Sequence, residues 1–246
     1  MSYRSALAHV LSSAIKPSAE ETGTRERFPR ASVTALGAAG LLGLTVASDL
    51  GGGGLNLFEA TEVVTEVSRV CPATGAVLRS HYAAVAFIEA YGTHWMRRKV
   101  AVGHHLSTLA LTDAGETGSP GGTGATATRT GDVVALRGRK RDVVAAGEAD
   151  SYIWSARPAD GGEGQALWLV PADAPGLFVP ARPSGEGPRG SGTSTVCADP
   201  VLVPAGAMLE RDGTDDMLST VCAWLAAVPA PGAEVPAGPV DARALT

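Results

Sequence analysis

Near residue 105 the hydrophobic periodicity of the chain changes, and that change limits the fold more than any single motif. Before it, apolar residues recur at helical spacing. "RSALAHVLSSAI" (4–15) is a helical run that Pro17 is expected to end, with polar residues 18–27 as loop. A second helix is expected from near Pro29 to about Ala39, followed by the glycine-rich loop "ASDLGGGGLNL". "FEATEVVTEVSRVC" is amphipathic, with Val63, Val64 and Val67 on one face. "ATGAVLRSHYAAVAFIEAY" is apolar almost all round, which predicts a buried helix. Thr93 is placed to cap "THWMRRKVAVG".

Beyond residue 105 the runs are short and β-type: 106–112, 131–140, 151–156, 166–171, 176–183 and 193–204. Gly, Pro and Asp punctuate them, and no helical stretch intervenes. That pattern predicts an antiparallel β domain or barrel. One helix is expected to start around Asp215 and to stop at "PAPGAEVPAGP". The expected class is therefore α+β: a helical domain over 1–105, an antiparallel β-barrel-like domain over 106–211, and a short helix with a Pro/Gly-rich tail over 212–246.

Composition narrows the function. The chain has 246 residues, 45% hydrophobic and 18% charged, enough for a substantial core. A net charge of −5 argues against a general nucleic-acid binder, whose phosphate affinity needs a basic face. Cys71, Cys197 and Cys222 are odd in number and widely spaced, so no metal site is expected and a reduced cytoplasmic setting is. No signal peptide is read at the N-terminus, and no apolar stretch approaches the length of a membrane span.

Four segments then follow in a telling order. "FPRASVTALGAAGLLGLTVASDLGGGGLNLFEATEVVTEVSR" resembles the N-terminal helical domain of the acyl-CoA dehydrogenases. "ALTDAGETGSPGG" is similar to that family's Ala-Leu-Thr-Glu…Gly-Ser-Asp signature. "LRGRKRDVVAAGEADSYIWSA" aligns without a gap to its Asn-Gly-x-Lys-x-Trp-Ile-Thr-Asn segment, and "GPRGSGTSTVCADPVLVPAGAMLERDG" resembles the close of its middle domain. The resemblance runs from about Phe28 to Gly213. It implies FAD held between the β domain and a C-terminal four-helix bundle, and an acyl-CoA or acyl-carrier substrate. In that chemistry a carboxylate removes the α-proton while hydride leaves the β-carbon. It also implies a homo-oligomer, or a hetero-oligomer with a homologue, because the chain is expected to enter the bundle by one short helix only. No residue matches the family's catalytic glutamate.

Carried over position by position, the resemblance gives Leu111, Thr112, Ser119 and Val144 as flavin contacts. Ser119, His81, Tyr82 and Arg189 become the substrate contacts. Three departures mark the first signature: Asp113 stands for Glu, a residue is inserted before Gly118, and Pro120 replaces the acid. Three more mark the second: Asp142 falls on the Trp, Val144 on the hydroxyl residue and Ala145 on the Asn. An ionised Asp142 about 4 Å from reduced flavin would oppose it by about 4 kcal/mol at an effective dielectric near 20. Pairing with Arg141 or Arg139, or pointing into solvent, would remove that cost.

Each of these residues also has a plainer reading. Thr112 can be a strand end, the glycines 115–124 a flexible loop, Arg189 the order of a turn and His81 a satisfied core group. Arg137, Arg139 and Arg141 alternate onto one face, read as a solvated edge strand or as a partner for an anionic CoA or carrier. His81, Asp113 and Asp142 are the remaining candidates for a catalytic group. Three roles stay open: a flavoprotein degenerate in redox chemistry, a non-redox cyclase, dehydratase or isomerase using the acyl pocket, and a non-catalytic subunit.

Overall fold

The structure, a computed structural model, describes residues 2–114, 124–159, 164–181, 186–210 and 214–228. It opens with α1 (Tyr3–Val10), which does not end before Pro17. Instead it widens into a π-helical turn at Leu11–Ile15 and continues as α2 (Lys16–Arg25), so residues 18–25, expected as loop, are helix. Pro17 has no N–H for the Ser13 carbonyl and would crowd it in a regular helix. The wide turn resolves this: the Lys16 N–H reaches back to the Leu11 carbonyl. Nearby hydroxyls take up slack carbonyls, with Ser13 donating to His9 at 2.8 Å and Ser18 to Ala14 at 2.8 Å.

Four helices complete the N-terminal layer: α3 (Arg30–Ala38), α4 (Leu57–Val70), α5 (Pro72–Tyr91) and α6 (His94–Ala101). Asn56 and Glu59 form a reciprocal capping box at the start of α4. Thr93 caps α6 through the Met96 N–H. Val63, Val64 and Val67 are fully buried on one face of α4, against α5. The end of α3 meets the turn after α6 so closely that a Cβ on Gly37 would lie 2.2 Å from the Gly103 carbonyl oxygen.

The β unit comprises β1 (Ser107–Ala110), β2 (Thr126–Thr130), β3 (Val133–Val143), β4 (Ser151–Pro158), β5 (Ala166–Pro171), β6 (Leu177–Phe178), β7 (Ser194–Pro204) and β8 (Met208–Glu210). The main order is β6-β7-β3-β2-β4-β5-β8, with β1 added on β4. Most pairings are antiparallel as expected, but β1 runs parallel to the first half of β4, and β2 runs parallel to its end at Arg157 and Pro158. The sheet is therefore mixed. β2 and β8 were not marked by the sequence pattern, since β2 is polar and β8 only three residues long. The basic strand β3 lies between β2 and β7, so it is an interior strand and not an edge.

β4 and β5 serve two cores. Tyr152, Trp154, Trp168 and Val170 point into the β unit with Leu136, Val196 and Val201. The alternate residues Ile153 and Leu167 join the helical core instead. Helix α7 (Thr214–Ala227) returns to that same core through Val221 and Trp224. The Trp224 indole donates to Thr61 Oγ1 at 2.8 Å and to the Leu57 carbonyl at 3.1 Å. No helix among the described residues is long and apolar enough to cross a membrane.

Candidate functional site

The two flavin-facing segments expected from the sequence do meet. The chain leaving β1 runs beside β3. The Arg141 N–H donates to the Thr112 carbonyl at 2.9 Å, the Ala114 N–H to the Arg139 carbonyl at 2.8 Å, and Asp113 bridges to Lys140. On the other flank Gly138, at φ 146°, lets Ala125, the residue before β2, come close to β3: a Cβ on Gly138 would lie 2.7 Å from the Ala125 Cα.

At the centre is a buried cation. Arg137, Arg139 and Arg141 point outward, whereas Lys140 is fully buried. Its Nζ donates to Asp113 Oδ1 at 2.6 Å, Ser155 Oγ at 2.8 Å and the Leu111 carbonyl at 3.2 Å, and it lies 5.4 Å from the centre of the Trp154 ring. Burial pushes the Lys140 ammonium down from its ordinary value, and the Asp113 carboxylate works against that. Asp113 also accepts the Ala125 N–H at 3.1 Å. The carboxylate read as a candidate base is thus committed to an ion pair and a loop contact. The period-2 alternation that places three arginines outward also places Lys140 inward, and that signal would have found it.

Asp142 lies where the strand breaks register between Lys140 and Val143, at the left-handed φ of 56°. Such backbone disfavours large side chains, and Asp tolerates it better than most. Its carboxylate pairs with the Arg141 guanidinium and accepts the Glu186 N–H at 3.1 Å. This is the Arg141 pairing, one of the alternatives read from sequence. Val144 follows with its carbonyl accepting the Thr108 hydroxyl at 2.7 Å. The Ala145 and Ala146 N–H groups donate to the Ser191 and Gly192 carbonyls. Thr112 is exposed, and Leu111 is half-buried with its carbonyl on Lys140 and Ser155.

The other expected site residues lie elsewhere. His81 is fully buried in α5. Its Nε2 faces the Leu42 carbonyl at 3.0 Å, and Nδ1 accepts the Ser107 N–H at 3.2 Å. Burial holds its pKa down at about 4, so the ring is neutral, and both nitrogens are spent on backbone. Tyr82, equally buried, donates to the Leu41 carbonyl at 2.7 Å. Arg189 is exposed and pairs with Glu26 at 3.2 Å, tying the loop before β7 to the end of α2. Ser119 and glycines 115, 118, 121 and 122 lie outside the described residues.

The family model "Acyl-CoA dehydrogenase, N-terminal domain" matches residues 2–103. The short-chain specific acyl-CoA dehydrogenase of Clostridium acetobutylicum is 26% identical over 206 residues, which cover 81% of this chain and 54% of that protein. Among solved structures, FkbI, for biosynthesis of the methoxymalonyl extender unit of Fk520, is similar at 28% identity and a TM-score of 0.72. That match covers 92% of this chain and 63% of FkbI. Glutaryl-CoA dehydrogenase from Mycobacterium smegmatis shares the fold at a TM-score of 0.77 and 24% identity, covering 91% and 58%. The chain spans about half the length of the curated relatives it matches. The matched helical region, the mixed sheet and the meeting of the two signature segments agree: residues 2–103 match the N-terminal domain of the acyl-CoA dehydrogenases, and the chain is similar to members of that family over 81% of its length.

Proposed function

We propose that this chain is an acyl-thioester-handling member of the family in which the flavin-facing wall has been rebuilt and redox chemistry lost. The carrying observation is Asp142. It stands in left-handed backbone at a bulge, and its carboxylate is held by Arg141 and the Glu186 N–H. An aromatic wall offers a flavin shape and area, and this residue offers neither. Val144 has no hydroxyl, and the neighbouring Ala145 and Ala146 N–H groups are already spent on the Ser191 and Gly192 carbonyls. Of the side-chain contacts that the resemblance assigns to the ring among the described residues, Thr112 keeps its donor in an exposed position. The described residues therefore do not fit a flavin in the family's manner.

The acyl-thioester part of the reading is supported by relatives named for acyl-CoA and by FkbI, named for biosynthesis of a methoxymalonyl extender unit. The test is a visible absorption spectrum after incubation with FAD or FMN and gel filtration. We expect a colourless protein. A stoichiometric yellow complex that bleaches on adding an acyl-CoA would overturn the reading.

A further inference from the structure

Helix α6 carries an outward stripe that nothing in the described fold covers. Trp95, Arg98, Lys99 and Val102 follow one another at i, i+3, i+4 and i+7, while Met96, Val100 and Ala101 turn inward. Trp95 is 61% exposed and Val102 50%, both large apolar side chains left in water. The Lys99 Nζ sits 4.2 Å from the centre of the Trp95 ring, which joins cation and ring into one surface. Arg97 is tied to Glu89 at 2.9 Å, whereas no ion pair among the described residues involves Arg98 or Lys99. The stripe is also free of acids along the chain: from Ala90 to Thr112 the sequence holds no Asp or Glu, although the net charge is −5. Asp150 and Asp173 share a groove of about 540 Å³ with Trp95 and Lys99, and Arg98 and Val102 lie outside it. The positive excess is therefore on the outer side of the helix.

We infer that this stripe docks an acidic carrier protein, which brings the acyl group as a carrier-bound thioester. Docking of this kind rests on the acyl-thioester reading and favours the carrier-bound form over acyl-CoA, a free small molecule that needs no docking helix. An exposed Trp beside an Arg is the composition from which protein–protein anchor points are built. Unpaired cations around it steer an oppositely charged partner and fix its register. Two other anionic partners fit less well. A lipid surface takes an amphipathic helix by its apolar face, and in α6 that face, Met96 and Val100, is already buried in the protein. A nucleic acid needs a broader basic surface than this net-negative chain offers.

The test is a calorimetric titration of the full chain with a bacterial acyl carrier protein in its apo form, which lacks the thiol arm, so that docking is read apart from the acyl site. We expect saturable binding that weakens steeply as salt is raised. The double change Arg98→Glu, Lys99→Glu and, separately, Trp95→Ala should each weaken it by at least about tenfold. These side chains are exposed, and circular dichroism checks that the variants keep the fold. No saturable binding by the unaltered protein, or equal binding by the charge-reversed one, overturns the proposal. So does a stripe that instead binds phosphatidylglycerol vesicles or a second copy of this chain, read by co-sedimentation and analytical ultracentrifugation and lost in the same variants. Butyryl-CoA is titrated alongside. If it binds and the carrier does not, the docking proposal fails and the acyl-thioester reading stands; if neither binds, both fall. The titrations of the unaltered protein decide the matter even where a variant fails to fold.

Discussion

Lys140 and His81 are the two residues whose burial has the clearest energetic consequence. Lys140→Ala strands the Asp113 carboxylate and removes the donor to Ser155 Oγ, while the Leu111 carbonyl keeps the Ser155 hydroxyl. Asp113 is 37% exposed and recovers some hydration, so the expected loss is about 2–3 kcal/mol, short of a fully buried pair. Urea denaturation would measure it, and Lys140→Met, which keeps most of the volume, should lose less. His81 sets an acid limit. Its folded pKa of about 4 lies below the ordinary 6.5, so the unfolded chain binds the extra proton first as pH falls. Its contribution is whole above pH 6.5 and is lost down to about pH 4, amounting to about 3 kcal/mol. His81→Gln should flatten that part of the stability–pH curve; an unchanged slope would refute the assignment. Sequence showed part of this. Strand alternation turned three arginines outward, and with them Lys140 inward. The left-handed backbone at Asp142 was not legible, because a bulge depends on how the partner strand runs past.

Among the elements, α7 is held by one specific anchor. Its attachment to α4 rests on Trp224, whose indole bonds Thr61 and the Leu57 carbonyl while its ring fills the helical core. Trp224→Ala should release the helix locally. In hydrogen exchange the amides of 214–227 are expected to lose protection while β3 and β7 keep theirs; equal loss in both would show that the helix is integral to the whole fold. At this scale periodicity performed well where packing follows it: α4, α5 and α6 appear where amphipathicity and caps placed them. It failed where a covalent oddity was absorbed by geometry. Pro17 reads as a stop, yet a single π turn upstream lets the helix run on to Arg25. Polar β2 escaped notice because its register comes from β3 and β4 rather than from its own alternation.

For the molecule as a whole, the break in periodicity near residue 105 correctly separated helices from strands, and the family resemblance correctly joined them. Neither revealed that β4 and β5 face two ways, with Trp154 and Trp168 turned into the β unit and Ile153 and Leu167 into the helical core. Severed between residues 105 and 106, the helical portion would lose the apolar floor those side chains provide, and the strands would bare it to water. Scanning calorimetry of the intact chain should accordingly show one endotherm whose van't Hoff and calorimetric enthalpies agree. Two resolved transitions would contradict this. The boundary so plain in the residue pattern is then no seam in the heat of unfolding: a party wall cannot be pulled down on one side alone.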